Sequence, residues 1–248
     1  MHKQNVVLVV GTNYRDNIGA AVQQKFDLEG AVVMTMDKNQ GGVDYKCDSS
    51  DPIAVMKAFE DIKERYGTLD SVLCCQGVNL LNKIEDYKLE DWYTTINANL
   101  TSLLVLLQAY VRVFDNDGNR KAFVVITSDT SEIPKTSTFA YGASKAGANH
   151  FLRCTARELN KYHKDEWLVT GLAIGMVEGT PMDKKTIADL TAQRNITPEK
   201  ARDMLVANIP LGRGLTTQEV AEWMYFVTTM GDYATGNIIR IDAGQCQG

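Results

Sequence analysis

The stretch NVVLVVGTNYRDNIGAAVQQKFDLEGAVVMTMD, residues 5–37, decides the fold. It opens with a short β-rich apolar run, Asn5 to Val10, that ends at Gly11. The helix that follows carries Ala21, Val22, Phe26 and Leu28 at helical spacing and stops at Gly30. AVVMTMD is then a second apolar strand ending at Asp37. Strand, turn, helix and strand in this short span are the unit of a parallel sheet. The strands are continuously apolar rather than alternating, which suits a sheet covered on both faces.

Outward from there the pattern repeats. Residues 51–66 read as a helix with Asp51 as its N-cap and Pro52 at the first position. LDSVLCC (69–75), KAFVVIT (121–127), WLVTGLAIG (167–175) and GNIIRID (236–242) read as strands. Between them LEDWYTTINANLTSLLVLLQAYVRVF (89–114), the helix around Tyr141 and QEVAEWMYFVTTM (218–230) read as helices. There are no repeats, low-complexity tracts or linkers. The expectation is one α/β domain over 1–248, a three-layer, doubly wound parallel sheet (a Rossmann fold), with a small helical lobe at 182–208.

Composition narrows the function classes. The chain has 248 residues, 44% hydrophobic and 23% charged, with a net charge of -5. It carries no long basic run, so nucleic acid is not an expected partner. No apolar run reaches about 18 residues, and MHKQNVVLVVG lacks a signal-peptide pattern, so no membrane association and a cytoplasmic location are expected. The five cysteines, Cys47, Cys74, Cys75, Cys154 and Cys246, and three histidines, His2, His150 and His163, show no ligand spacing. Reduced thiols and no metal site follow.

In a doubly wound sheet, ligands bind beyond the carboxyl ends of the strands. Those ends bring together the Gly11 loop, Asp37, Cys74–Gly77, Ser128 and the Gly175–Thr180 loop. The first loop feeds a helix start near Ile18 and Gly19, where backbone N–H groups suit a pyrophosphate. Asn13 and Asn17 lie on that loop. The glycines do not follow G-x-G-x-x-G, so by themselves they also fit a plain strand–helix turn. Asp37 sits where a carboxylate would receive ribose hydroxyls and repel a 2′-phosphate, which favours NAD(H). Arg15 and Lys38 are nearby cations that argue for NADP(H), and Asp37 alone also fits a solvated strand end. Asp48 either lies beside an adenine or caps a turn.

Tyr141 and Lys145 are four residues apart, hence on one face of a helix. A tyrosine has a pKa near ~10, and lowering it by roughly 3 units requires about 4 kcal/mol of preference for the phenolate. One cation at about 4 Å and an effective dielectric near ~20 supplies an energy of that order. Small residues between them, Gly142, Ala143 and Ser144, leave the face open to something large. Such a pair also arises by chance as a half-buried tyrosine and a solvated lysine.

The chain resembles the short-chain dehydrogenase/reductase family over nearly its whole length. Ser128 lies thirteen residues before Tyr141, and Asn99 sits in NANLTS as the family's helix asparagine does. IPLGRGLTTQEVA (209–221) and ATGNIIRIDAG (234–244) are similar to its C-terminal segments. The resemblance implies an oxidoreductase moving hydride between a nicotinamide cofactor and an alcohol or carbonyl substrate. It implies a catalytic tetrad of Asn99, Ser128, Tyr141 and Lys145. Ser128 would hold the substrate oxygen, and Tyr141 would act as acid or base. Lys145 would lower the tyrosine pKa and bind the nicotinamide ribose, and Asn99 would hold a relay water. Implied cofactor contacts are Gly11, Asn13, Asn17, Ile18, Gly19, Asp37, Asp48, Gly77, Gly175 and Thr180, with Tyr141 and Lys145. A homotetramer or homodimer is implied, formed through 89–114, 139–160 and the last strand.

Two departures qualify the resemblance, in the first loop and after the fourth strand. The first loop, GTNYRDNIG, is two residues longer than the family's, with Asn17 where a middle glycine would stand. It looks like the loop of the enoyl-acyl-carrier-protein reductases, but those space tyrosine and lysine by seven, so enoyl reduction is set aside. Cys74-Cys75-Gln76-Gly77 replaces N-N-A-G. Residues 182–208 match the family's variable substrate lobe, where Lys184, Lys185 and Arg194 either meet an anionic substrate or form a solvated face. The alternative to an enzyme is a dinucleotide-binding sensor or regulator of the same fold. A purely structural protein would leave the polar strand ends unexplained.

Overall fold

The computed structural model describes residues 4–12, 16–39, 42–115, 117–163 and 166–245. A seven-stranded, wholly parallel sheet lies at the centre, in the order β3-β2-β1-β4-β5-β6-β7. Its strands are β1 (Val6–Val10), β2 (Val32–Asp37), β3 (Tyr45–Lys46), β4 (Ser71–Cys74), β5 (Lys121–Ser128), β6 (Trp167–Ile174) and β7 (Ile238–Ile241). The order reverses between β1 and β4, which opens a crevice at their carboxyl ends.

Helices cover both faces. On one side α2 (Pro52–Tyr66), α4 (Ser102–Phe114) and α5 (Phe139–Tyr162) bury Phe59, Tyr110, Phe114 and Leu152 against Leu8, Val72, Phe123 and Trp167. On the other, α1 (Ile18–Leu28) and α8 (Thr217–Met230) bury Val22, Phe26 and Met224 against Val7, Val9 and Val124. Alternate residues of β1 therefore enter different cores, which is why its sequence is apolar throughout. The helix starts follow local chemistry. The Asp51 carboxylate accepts from the Ile53 and Ala54 N–H groups ahead of Pro52, and Thr216 and Glu219 form a reciprocal capping box on α8.

The stretch 89–114 is one continuous rod, α3 (Leu89–Ile96) running into α4, with a π-helical turn at Asn97–Thr101 between them. By length and composition Leu89–Phe114 would suffice to cross a membrane. This qualifies the expectation drawn from uninterrupted apolar runs. Here Leu103, Leu106, Leu107, Tyr110 and Phe114 of that rod are in the core. Residues 182–208 fall within two helices and their flanks, α6 (Pro181–Arg194) and α7 (Pro198–Val206), each started by a threonine cap and a proline. β3 is a two-residue strand that the sequence reading did not foresee; it is held by the Asp44 carboxylate on the Thr35 N–H and hydroxyl.

A cleft at the carboxyl ends of the strands

A cleft of 910 Å³ runs across the carboxyl ends of the strands and under α6 and α7. That is within the usual size of a ligand site. Its walls include Gly11, Asn17, Ile18, Asp37 and Asp48 at one end. Ser128, Tyr141, Lys145, Gly175 and Thr180 line it further along. Asn13 and Arg15 lie outside the described residues.

The first loop is closed by Asn17. Its Oδ1 accepts from the Ala20 N–H at 2.8 Å, capping α1, and its Nδ2 donates to the Gly11 carbonyl at 3.1 Å. A Cβ on Gly19 would stand 2.2 Å from the Gly11 oxygen, and one on Gly11 would stand 2.6 Å from the Gln76 nitrogen. Gly11 also has a φ of +94°, in the region that favours glycine. The cradle therefore needs both glycines, while the middle position is filled by a side chain that ties it together.

Asp37 ends β2, with its Oδ1 accepting from the Asn39 N–H at 2.9 Å. Asp48 caps the turn before α2, where its Oδ1 accepts from the Ser50 N–H and hydroxyl. Burial pushes its carboxyl up, but those bonds and Lys38 outweigh it and hold the pKa below the usual range. Thr180 caps α6: its hydroxyl donates to the Val177 carbonyl and accepts from the Asp183 N–H.

Three elements meet at the other end. Tyr141 and Lys145 lie in the first turns of α5, with the Lys145 ammonium 5.7 Å from the Tyr141 ring centroid. Gly142 lets the turn after β5 pack close, since a Cβ there would stand 3.0 Å from the Thr130 oxygen. Asn99 is in the π-helical turn and 2% exposed. Such turns widen a helix by one residue and often mark functional positions. The Asn99 amide accepts from the Val78 N–H at 2.8 Å, donates to the Val78 carbonyl at 2.9 Å and donates to Ser144 Oγ at 2.9 Å. Ser144 Oγ donates to the Tyr141 carbonyl at 2.7 Å. Asn99 thus ties the β4–α3 segment to the first turn of α5, where the sequence reading expected a water-holding role. Gly77 passes through the gap, and a Cβ there would stand 3.6 Å from Lys145 Nζ and 3.7 Å from Asn99 Oδ1.

The protonation chemistry differs from the spacing argument. Lys145 Nζ donates to the Ile126 carbonyl at 2.8 Å rather than reaching the phenol. Burial pushes Lys145 down to about 8, offset in part by Cys74 and Cys75. Burial pushes Tyr141 up to about 12; interaction with the Ser128 hydroxyl lowers it and the Asp129 charge raises it further. Both groups are held neutral-leaning by desolvation.

The sequence reading missed Asp129 and Lys135, which pair beside Ser128 at 2.7 Å. Asp129 directly follows Ser128 in the sequence, but only the turn Asp129–Ser131 shows that its carboxylate is buried. Lys184 and Lys185 are engaged by Asp16 and Asp189, whereas Arg194 lines the cleft. Several buried polar atoms on the cleft-lining residues Gln76, Asn79, Thr127 and Gln245 have no protein partner. Such groups call for a ligand or water. Together with the glycine cradle at the N-terminus of α1, they fit a dinucleotide whose pyrophosphate rests on that helix.

Known proteins agree with this geometry. The family described as enoyl-(acyl carrier protein) reductase matches residues 11–245. The chain is 28% identical to 3-oxoacyl-(acyl-carrier-protein) reductase of Thermotoga maritima, over 96% of each chain. It is 27% identical to sorbitol-6-phosphate 2-dehydrogenase of Klebsiella pneumoniae, covering 99% of this chain and 97% of that one. The solved sorbitol-6-phosphate 2-dehydrogenase of Erwinia amylovora superposes with a TM-score of 0.90 at 22% identity, covering 98% of this chain and all of that one. With its parallel sheet, its strand-end cleft and a family match from Gly11 to Gln245, the chain belongs to the short-chain dehydrogenase/reductases, nicotinamide-dependent oxidoreductases of CH–OH and C=O groups.

Proposed function

We propose that Asn99, Ser128, Tyr141 and Lys145 carry proton transfer in the interconversion of a small-molecule alcohol and its carbonyl compound. The observation that carries this reading is the convergence of Ser128, Tyr141 and Lys145 in a cleft that Gly11, Asn17 and Ile18 of the first loop also line. A bound nicotinamide supplies or accepts the hydride at the substrate carbon. Ser128 Oγ holds the substrate oxygen and the charge that develops on it. Tyr141 gives the proton to that oxygen in reduction and takes it in oxidation. Lys145, buried and fixed by the bond from its Nζ to the Ile126 carbonyl, holds the ribose and, when protonated, favours the Tyr141 phenolate. Asn99 fixes the segment that positions both. Gly11, Asn17, Ile18, Gly19, Asp48, Gly77, Gly175 and Thr180 hold the dinucleotide, together with Asn13 on the first loop.

NAD(H) is the favoured cofactor because Asp37, at the end of β2, meets a ribose better than a 2′-phosphate. NADP(H) is the alternative. The Tyr–Lys interval of four sets the chain apart from enoyl reduction. The 182–208 lobe, whose Met182, Leu190, Met204 and Leu205 face the cleft, selects the substrate. Leu89, Tyr93 and Leu104 on the α3–α4 rod are exposed apolar residues, which supports a homodimer or homotetramer formed through it.

The test is titration of NADH and NADPH by fluorescence. It is followed by turnover of sorbitol 6-phosphate, a 3-oxoacyl thioester and simple secondary alcohols by wild type and Tyr141→Phe. Expected are tighter NADH binding and loss of at least about a hundredfold in kcat for Tyr141→Phe. Equal turnover by the two proteins would remove the tyrosine from the chemistry. NADH binding without turnover of any alcohol would favour a sensor.

A further inference from the structure

Asp129 is 3% exposed and sits between Ser128 and Lys135. Its Oδ1 accepts from Ser128 Oγ at 3.1 Å, and its Oδ2 accepts from Lys135 Nζ at 2.7 Å. Ser128 Oγ in turn accepts from the Thr130 N–H at 3.2 Å and from the Thr130 hydroxyl at 2.9 Å. A serine hydroxyl has one donor and two acceptor sites, so Asp129 and the Tyr141 phenol compete for its single proton. The bond to Asp129 sets which way the Ser128 hydroxyl turns while no substrate oxygen accepts from it. Lys135 competes for that same carboxylate. The strand-end turn is braced from behind, where Ser131 Oγ donates to the Ser128 carbonyl and accepts from Asn149 Nδ2.

We infer that Asp129 and Lys135 are a positioning pair for the proton-transfer site: Asp129 orients the Ser128 hydroxyl, and Lys135 cancels the negative charge this places beside the Tyr141 phenol. This rests on the reading of Ser128 and Tyr141 given above. The Asp129 charge raises the phenol's pKa, the direction the geometry demands. Other groups could act on the same phenol. Lys145 comes from α5 itself. Cys74 and Cys75, at the end of β4, are thiols pushed up by burial. Glu132, on the far side of the turn, is paired with Arg240. From α6, Asp183 accepts from the Gly179 N–H and Asp189 is paired with Lys185. Arg194, which also lines the cleft from α6, sits at the far end of that helix. Among the described residues, Asp129 and Lys135 form the ion pair that directly contacts Ser128.

The pair predicts opposite effects from its two members. Asp129→Asn keeps an acceptor for Ser128 but removes the charge and leaves Lys135 unpaired, so the phenol becomes more acidic. Lys135→Met leaves the carboxylate uncompensated, so the phenol becomes less acidic. At an effective dielectric of ~20–40 and a separation of a few ångströms, each shift is on the order of one pH unit. The double variant returns toward wild type. The readout is ¹⁹F NMR of protein labelled with fluorotyrosine, which titrates at lower pH than tyrosine. The resonance absent from Tyr141→Phe identifies this phenol among the ten tyrosines. Midpoints displaced in opposite directions, with the double variant between them, support the pair. Unmoved midpoints, or two displaced the same way, overturn it, and the double variant gives the answer if one single variant does not fold. Activity of Tyr141→Phe is read separately: full activity sinks the underlying reading, whereas lost activity with unmoved midpoints sinks only the pair.

Discussion

Replacing Lys145 with Met removes an ammonium group from a site where it is 2% exposed. The expected protein is inactive and more stable at neutral pH. The magnitude follows from the pKa, which burial lowers from 10.5 to about 8. That gap corresponds to roughly 3 kcal/mol of preference for the neutral amine in the folded state. The variant also forfeits the hydrogen bond to the Ile126 carbonyl, worth about 1 kcal/mol net. The remainder, about 2 kcal/mol, would raise Tm by roughly 4–8 °C for a domain of this size.

The pH dependence gives a sharper test. The folded lysine titrates below the unfolded one, so the unfolded state holds more protons between about 8 and 10.5. The lysine's contribution therefore rises with pH across that window, and its penalty is present in full below it; the buried thiols of Cys47, Cys74 and Cys75 act the other way in both proteins, so the difference between the two isolates the lysine. The phenol of Tyr141, pushed up to about 12, changes stability only above ~10. Urea unfolding of both proteins from pH 7 to 9.5 should show the variant's advantage shrinking as the lysine penalty falls to about half. A variant less stable than wild type at pH 7, or an advantage that does not change with pH, would refute the desolvation argument.

Two further outcomes follow from the same geometry. Gly19→Ala forces a Cβ to 2.2 Å from the Gly11 carbonyl, so the loop must open; NADH affinity should fall more than about tenfold, roughly 1.4 kcal/mol, in a fluorescence titration, and unchanged affinity would show that the cradle does not hold the dinucleotide. Asn99→Ala deletes three hydrogen bonds, two of them to the Val78 backbone; at about 1 kcal/mol each the loss is roughly 3 kcal/mol, a Tm drop of about 6–12 °C by calorimetry, and a drop under about 2 °C would mean that the segment is held otherwise.

What the sequence disclosed, and what it hid, divides along a physical line. Features written in a few neighbouring residues were legible: the apolar run of β1, the Asp51–Pro52 start of α2, and the four-residue interval of Tyr141 and Lys145. Features that depend on which distant groups meet were not. The π-helical turn at Asn97–Thr101 leaves no mark in NANLT that separates it from an ordinary helix. β3 is too short to carry a period, and its anchor on Thr35 comes from Asp44 through the fold of the chain. The Lys145 ammonium was read as the tyrosine's cation, but spacing fixes the face of a helix and not the direction of a long side chain. Here the Ile126 carbonyl captures it. Asp129 carries no mark in the sequence, and burial alone makes it a charge that Ser128 and Lys135 must answer.

The first loop shows how a departure from a pattern can preserve its physics. Glycines in such loops serve two ends: clearance where backbones cross, and freedom for turns that other residues resist. Clearance is demanded at Gly11 and Gly19, where any Cβ would enter another residue's backbone. Both positions have kept glycine. Asn17 stands at the position where the family's middle glycine would be, and its backbone is extended, with φ at −102°, so no left-handed conformation is required. A side chain is tolerated there because it is put to use. One end of the amide caps α1 through the Ala20 N–H, and the other holds the Gly11 carbonyl. The Asn17 side chain is a tether between the strand end and the helix start that a glycine could not supply. A tie at the base of a loop fixes the spacing of its two ends, and the cost of extra residues between them grows only slowly with length.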